Sequence, residues 1–311
     1  MVADGTFFLK VAAIGNFPIL TISKDEYQLL VKSKYILSVA LSIEEKYDLT
    51  LCNFLDFEKE LLVLAAENMV KVDIEYDRLY LVRSSMNKRV VNFLCSARMY
   101  TEQISRQASK CVVSESDVYT LLERLKSEIY DQSLSYRAME AMRNHVNHSG
   151  VAVHGLSLPS CWKFENDANF KELVFNIDIF SERNILAENP KFKRGVLAEL
   201  PEKVDLKRAI RSYMGAISRL HEEARKLIRN SVEEARAVIE YHLDEYSKIN
   251  EGKAFAVGAY NYPVPQNKGS NKKPVMLTLN WDNVRRQLVE RNDCISNMDK
   301  RFVTGSLTMN S

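Results

Sequence analysis

A chain of 311 residues, 46% apolar and 27% charged, has the composition of an ordinary folded protein, which speaks against a mainly disordered chain. Its formal net charge is only +2, divided as −2 over residues 1–150 and +4 over residues 151–311, so charge alone neither demands nor rules out a polyanionic partner. The five cysteines, Cys52, Cys95, Cys111, Cys161 and Cys294, are odd in number, widely spaced and without a Cys-x-x-Cys pair, which argues against a disulfide scaffold and against a zinc ribbon.

The N-terminus carries Asp4 where a secretory signal would carry positive charge, and Lys10 interrupts its short apolar run. No apolar run approaches the length of a bilayer span; Leu61 to Ala66 is typical. A reducing, cytoplasmic setting without membrane attachment is therefore expected.

Residues 6–22 are apolar and β-branched around Gly15 and Pro18, a pattern that predicts a short strand or hairpin. Between Ile19 and Ser149 there is neither glycine nor proline, so the intervening chain reads as helix. Ser23, followed by Lys24-Asp25-Glu26, is a candidate N-cap for a helix reaching about Tyr47, and a second helix is expected over about Phe54 to Val70. A third runs from about Asp77 to Ser109, with Leu79, Val82, Met86, Val90, Phe93, Ala97, Tyr100 and Ile104 as its apolar stripe. The fourth starts near Ser114 or Ser116 and continues through Leu122, Ile129, Tyr136 and Met139 to Val146. Such lengths predict an antiparallel bundle. Tyr80, Tyr100, Tyr119 and Tyr136 fall on or near these stripes and read as core or interface rather than as base-stacking platforms.

Beyond Gly150 the texture changes, and residues 161–165 and 172–180 read as a strand hairpin. A helix over about Asp205 to Tyr246 follows, with Leu206, Ile210, Tyr213, Ile217, Leu220, Ala224 and Leu227 spaced nearly as a heptad seam. That seam is expected on the same chain's bundle, with a coiled-coil dimer as the alternative; His221 and His242 read as surface or seam residues of this helix. Strands are expected over 254–262 and 275–279, flanking a polar, cationic loop with Lys268, Lys272 and Lys273 that is a candidate RNA contact. A short helix over 282–291 and a frayed tail complete the chain. The organisation is thus mainly α: a strand segment and helical bundle over 1–150, then an α+β extension over 151–311 with short antiparallel hairpins and a long helix.

The most informative residues close the fourth helix: Arg143-Asn144-His145-Val146-Asn147-His148. At 100° per residue, Asn144 and His148 lie about 40° apart on one helix face, whereas Arg143 and His148 diverge by about 140°. Arginine's fork matches two phosphate oxygens and can neutralise charge on a pentavalent phosphorus. Histidine, whose ordinary pKa lies near neutrality, can take a proton from a ribose 2′-hydroxyl or give one to a leaving oxygen. The Asn144 amide can orient either. This chemistry requires no metal or other cofactor. His145 and His148, with His154 following, are one turn apart as zinc ligands can be, but no carboxylate or thiolate lies in this loop to join them.

Arg143-Asn144-x-x-x-His148 near the end of a bundle helix resembles the Arg-(Asn/Asp/His)-x-x-x-His signature of the HEPN ribonucleases. The resemblance covers roughly residues 24–150 and includes the polar residue directly after the arginine. It implies a four-helix bundle, a homodimer whose two motifs face each other, and metal-independent cleavage of RNA to 2′,3′-cyclic phosphate ends. Under it Arg143, Asn144 and His148 are the catalytic residues, with His145 as a candidate auxiliary. It also implies the setting of a toxin or anti-phage effector, with an antitoxin or activating partner. Two plainer readings stand beside it. Arginine and histidine favour the last turn of any helix for its dipole, and Ser149-Gly150 is an ordinary terminator. The bundle could equally serve as a non-catalytic interaction or nucleotide-binding module.

Overall fold

A computed structural model describes residues 6–71, 75–164, 171–262, 273–292 and 297–301. In chain order its elements begin with strands β1 (Thr6–Val11) and β2 (Leu20–Ile22) and helices α1 (Lys24–Val70), α2 (Tyr76–Ser109), α3 (Glu115–Gln132) and α4 (Leu134–His148). Four strands follow, β3 (Gly155–Ser157), β4 (Ser160–Phe164), β5 (Lys171–Phe175) and β6 (Asp178–Glu182), then short helices α5 (Arg183–Ala187) and α6 (Arg194–Glu199) and strand β7 (Lys203–Asp205). The long helix α7 (Leu206–Ile249), strands β8 (Val257–Tyr262) and β9 (Val275–Met276), helix α8 (Asn280–Arg291) and a 3₁₀ turn at Met298–Lys300 complete it. The chain is mainly helical, with small antiparallel sheets.

Two helix boundaries differ from the sequence reading. The break expected between Tyr47 and Phe54 does not occur, and α1 runs unbroken for 47 residues. Thr50 and Asn53, weak helix formers, bond back to the carbonyls one turn earlier: Thr50 Oγ1 donates to Lys46 O at 2.9 Å and Asn53 Nδ2 to Leu49 O at 2.9 Å. Conversely, the single fourth helix is two. Ser133 takes an extended backbone and its hydroxyl accepts from Tyr136 N at 3.1 Å, which starts a new helix in mid-stretch. Arg137 secures the joint by donating to the α3 carbonyls of Tyr130 and Asp131.

The expected hairpin over 161–180 is also redistributed. β4 pairs with β5, but Asn176 and Ile177 turn the chain, and β6 joins a different sheet of order β3-β6-β7. Its apolar alternation was real, yet it spans strands of two sheets.

By their contacts the residues group into two compact units, one of Met1–Glu45, Ile104–Thr120 and Ala224–Asp293, the other of Lys46–Gln103, Leu121–Glu223 and Cys294–Ser311. Residues from both sides of Gly150 enter each unit, so contacts do not divide where the sequence texture changes.

In the first unit a four-stranded sheet of order β2-β1-β8-β9 forms, with β1 and β8 in register from Thr6↔Tyr262 to Val11↔Val257. Buried Leu9, Val11, Val257 and Ala259 alternate along it. The α7 residue Tyr246 reaches this sheet, donating to Pro18 O at 2.9 Å and accepting from Val11 N at 3.3 Å. Asp282, fully buried, is held by Arg236 and Arg285, each at 2.5 Å.

In the second unit α1 and α2 form an antiparallel pair, because contacts descend one helix as they climb the other: Glu67 with Arg78, Glu60 with Arg89, Phe54 with Phe93, Tyr47 with Tyr100. The seam of α7 packs there. Phe93 meets Tyr213, and the His221 ring stacks on Tyr47 at 3.7 Å while its Nδ1 shares a 2.8 Å hydrogen bond with the Tyr100 hydroxyl. Arg211, on the same helix, forms a two-pronged pair with Glu58 of α1 at 2.7 Å for each contact. The seam from Leu206 to Ala224 is therefore satisfied within this chain, although Leu227 is only half-buried and Ile228 takes its place. His221 and His242 are both buried seam residues, not surface ones.

Candidate active site

Helix α4 positions the motif. Its buried face is Tyr136, Ala138, Met139, Ala141, Met142, Arg143 and His145, so the arginine sits on the inward side of the last two turns. The helix stops at Ser149, where the amides of Ser149 and Gly150 both donate to His145 O at 2.8 and 3.2 Å.

Arg143 is only 9% exposed. Its Nη1 lies 3.1 Å from Glu140 Oε2 and 3.8 Å from Glu102 Oε1, and its Nη2 donates to Asn144 Oδ1 at 2.9 Å. Its Nε is buried with no hydrogen-bond acceptor among the described residues. Glu140 is anchored from its other oxygen by the hydroxyl of Tyr213, a fully buried α7 residue. Burial, and next the neighbouring Glu140 carboxylate, hold the Tyr213 phenol well above its ordinary pKa, so it stays a protonated donor. A chain of contacts thus runs from α7 through Tyr213, Glu140 and Arg143 to Asn144.

Arg143 lines an open cleft of about 450 Å³ together with Thr101 and Glu102 of α2, Lys126, Ser127, Tyr130 and Asp131 at the end of α3, and Tyr136 and Glu140 of α4. Tyr136 is buried on the cleft wall, and its hydroxyl makes no hydrogen bond to a described residue. Its pKa too is pushed up, first by burial and then by Glu140.

The structure joins Arg143 and Asn144 directly. It leaves His148 apart: that side chain is exposed at the end of α4, makes no hydrogen bond to a described residue and does not line the cleft. His145 differs from the sequence reading. It is neither a surface residue nor presented beside His148, but 4% exposed, with Nδ1 accepting from Asn189 Nδ2 at 3.1 Å. Asn189 Oδ1 takes the Lys191 amide, which fixes the amide's orientation and leaves the His145 proton on Nε2. That Nε2 is buried without an acceptor among the described residues, 3.0 Å from where a Cβ on Gly150 would stand. The His145 ring lies edge-on to His154 and Phe192, each with centroids 6.2 Å away. Burial, and secondly the His154 neighbour, lower its pKa.

Lys273 is exposed, and Lys268 and Lys272 lie outside the described residues. Among the described residues no group of three or more histidine, cysteine, aspartate or glutamate side chains could hold a metal ion, and no helix is long and apolar enough to cross a membrane.

The two carboxylates that flank Arg143 escaped the sequence reading. Glu140 could have been found, since it stands one turn before Arg143 on the same helix. Glu102 could not, because only folding carries it from α2 to the motif. Of the stripe tyrosines, Tyr100 and Tyr136 are buried as expected, while Tyr80 and Tyr119 are 52% and 46% exposed.

Comparisons with models of known families, with curated proteins and with solved structures each found no match.

Proposed function

We propose that this protein is a metal-independent endoribonuclease of HEPN type, active as a homodimer, in which Arg143, Asn144 and His148 act on the scissile phosphodiester. The observation that carries the reading is the division of labour along α4: a nearly buried arginine tied to its neighbouring amide on a cleft wall, and an uncommitted, exposed histidine one turn further on.

In the proposed reaction His148 takes the 2′-hydroxyl proton as O2′ attacks phosphorus, and the P–O5′ bond breaks as the departing oxygen takes a proton from the second copy's histidine or from water. The products are a 2′,3′-cyclic phosphate and a 5′-hydroxyl. Arg143 would neutralise charge on the non-bridging oxygens, which requires the phosphate to compete with Glu140, and more weakly with Glu102, for the guanidinium. The nucleophile belongs to the substrate, so DNA should resist. The divergence of Arg143 from His148 on one helix supports a site completed by a second copy across a two-fold axis. A cytoplasmic toxin or anti-phage effector, held by an antitoxin or released by a trigger, is the setting in which such activity makes sense.

One observation favours a second reading. Arg143 is already compensated by Glu140, so the motif could serve only to brace α4 against α7 in a non-catalytic interaction module. The two part over purified wild-type and His148→Ala protein incubated with cellular RNA in EDTA. Cleavage by the wild type alone, with cyclic-phosphate ends and no cutting of DNA, supports the nuclease. Equal behaviour of the two proteins refutes it.

A further inference from the structure

We infer that the cleft beside Arg143 is a base subsite that selects guanine, an inference that rests on the nuclease reading of Arg143 for its place next to the cut phosphate. Its volume of about 450 Å³ lies in the range of ordinary small-ligand sites and is open to solvent.

The wall chemistry decides which base. The lining carries three carboxylates, Glu102, Asp131 and Glu140, against two cations, Lys126 and Arg143. Arg143 pairs with Glu140 at 3.1 Å, Lys126 with Glu123 at 2.7 Å and Glu102 with Arg98 at 2.7 Å, so Asp131 is the one charged group of the lining without an ion pair to a described residue. Glu102 is half-exposed and braced by Arg98 at 2.7 Å, and the exposed Asp131 carboxylate makes no ion pair or hydrogen bond with a described residue. An ionised carboxylate only accepts hydrogen bonds. Among the four RNA bases guanine alone presents two adjacent donors, N1–H and N2–H, with no acceptor between them. Adenine N6–H₂ and cytosine N4–H₂ stand beside ring acceptors, and uracil N3–H lies between two carbonyls, so each would set a lone pair against the carboxylate.

The acidic groups are not the sole feature. Tyr136, more than nine-tenths buried on the same wall, has a hydroxyl without a described partner, suited to the guanine O6 acceptor. Half-buried Tyr130 lines the same cleft, with the Lys193 ammonium 4.8 Å from its ring centroid and bonded to its hydroxyl at 3.0 Å. Arg143 lines the same cleft and, under the nuclease reading, is the group that receives the nucleotide's phosphate.

The test is calorimetric titration of the full chain with guanosine, adenosine, cytidine and uridine 3′-monophosphates, none of which can be cleaved, alongside end-mapping of cut RNA. The guanosine nucleotide should bind about tenfold or more tighter than the others, the discrimination expected of one bidentate base contact. The Glu102→Gln/Asp131→Asn double variant, altered only at exposed positions, should lose that preference. Equal binding of all four nucleotides, or a preference unchanged in the double variant, overturns the subsite. RNA cleavage without guanine preference overturns the subsite and leaves the nuclease standing. Selective guanine binding with no cleavage supports the subsite and removes the nuclease reading. Tighter binding of arginine amide than of any nucleotide overturns it in favour of a basic protein segment.

Discussion

Replacing Arg211 with methionine tests whether the second half of the chain is structurally part of the helical core. The Arg211 side chain is 2% exposed and that of Glu58 16%, and their two contacts are each 2.7 Å, so the pair is nearly dry. Methionine keeps most of the buried stem and removes only the fork, leaving the Glu58 carboxylate with one sixth of its surface in water. Breaking one side of a buried ion pair costs about 3–5 kcal/mol, and the residual exposure of Glu58 places this case near the lower figure. The Arg211→Met/Glu58→Met double variant removes the stranded charge and should return to within about 1 kcal/mol of the wild type, since apolar replacement of both partners is nearly neutral. Urea unfolding followed by far-ultraviolet circular dichroism, applied to the wild type, each single variant and the double variant, gives the four free energies of the cycle. A loss below about 1 kcal/mol in the single variant, or a double variant as unstable as the sum of its parts, would refute a buried pair joining α7 to α1.

Ser133→Ala should cost about 1 kcal/mol of stability, because it removes the acceptor for the Tyr136 amide at the start of α4; thermal unfolding will read it. Tyr213→Phe should cost about 1.5–3 kcal/mol, as Glu140 loses a buried, charge-assisted donor, whereas a silent substitution would show that this link is not formed. His145 and His154 are both held below the ordinary histidine pKa of 6.5, chiefly by burial. The unfolded chain therefore takes up these protons first, so the associated stability is fully present above pH 6.5 and is lost as pH falls through the lower folded values. Urea unfolding between pH 8 and pH 5 should show that decline, with a shallower slope for His145→Gln; an unchanged slope would mean that His145 is not buried as a neutral ring.

Much of this architecture was legible because its signals are local. A stretch without glycine or proline, apolar stripes at helical spacing and the heptad-like run from Leu206 to Ala224 depend only on neighbouring residues, and each corresponds to helix in the structure. The strand hairpin expected around Gly15 and Pro18 is likewise present, as β1 and β2. The misplaced boundaries were equally local in origin. Thr50 and Asn53 look like interruptions but bond to their own helix, whereas Ser133, in a stretch that otherwise reads as unbroken helix, ends one helix by capping the next.

What only the tertiary structure decided depends on residues far apart in the chain. The motif's residue types and spacing were visible in the sequence, but Arg143, Asn144, His145 and His148 share one helix and face different surroundings. One is compensated by Glu102 and Glu140 on a cleft wall, one bonds that arginine, one is sealed against Asn189 and Phe192, and one stands in solvent. Periodicity assigns angles around α4, but burial at each angle is set by which helix or loop packs there. Those partners come from α2, α7 and the segment after β6, because apolar burial is non-directional and leaves the choice of neighbour to the whole chain.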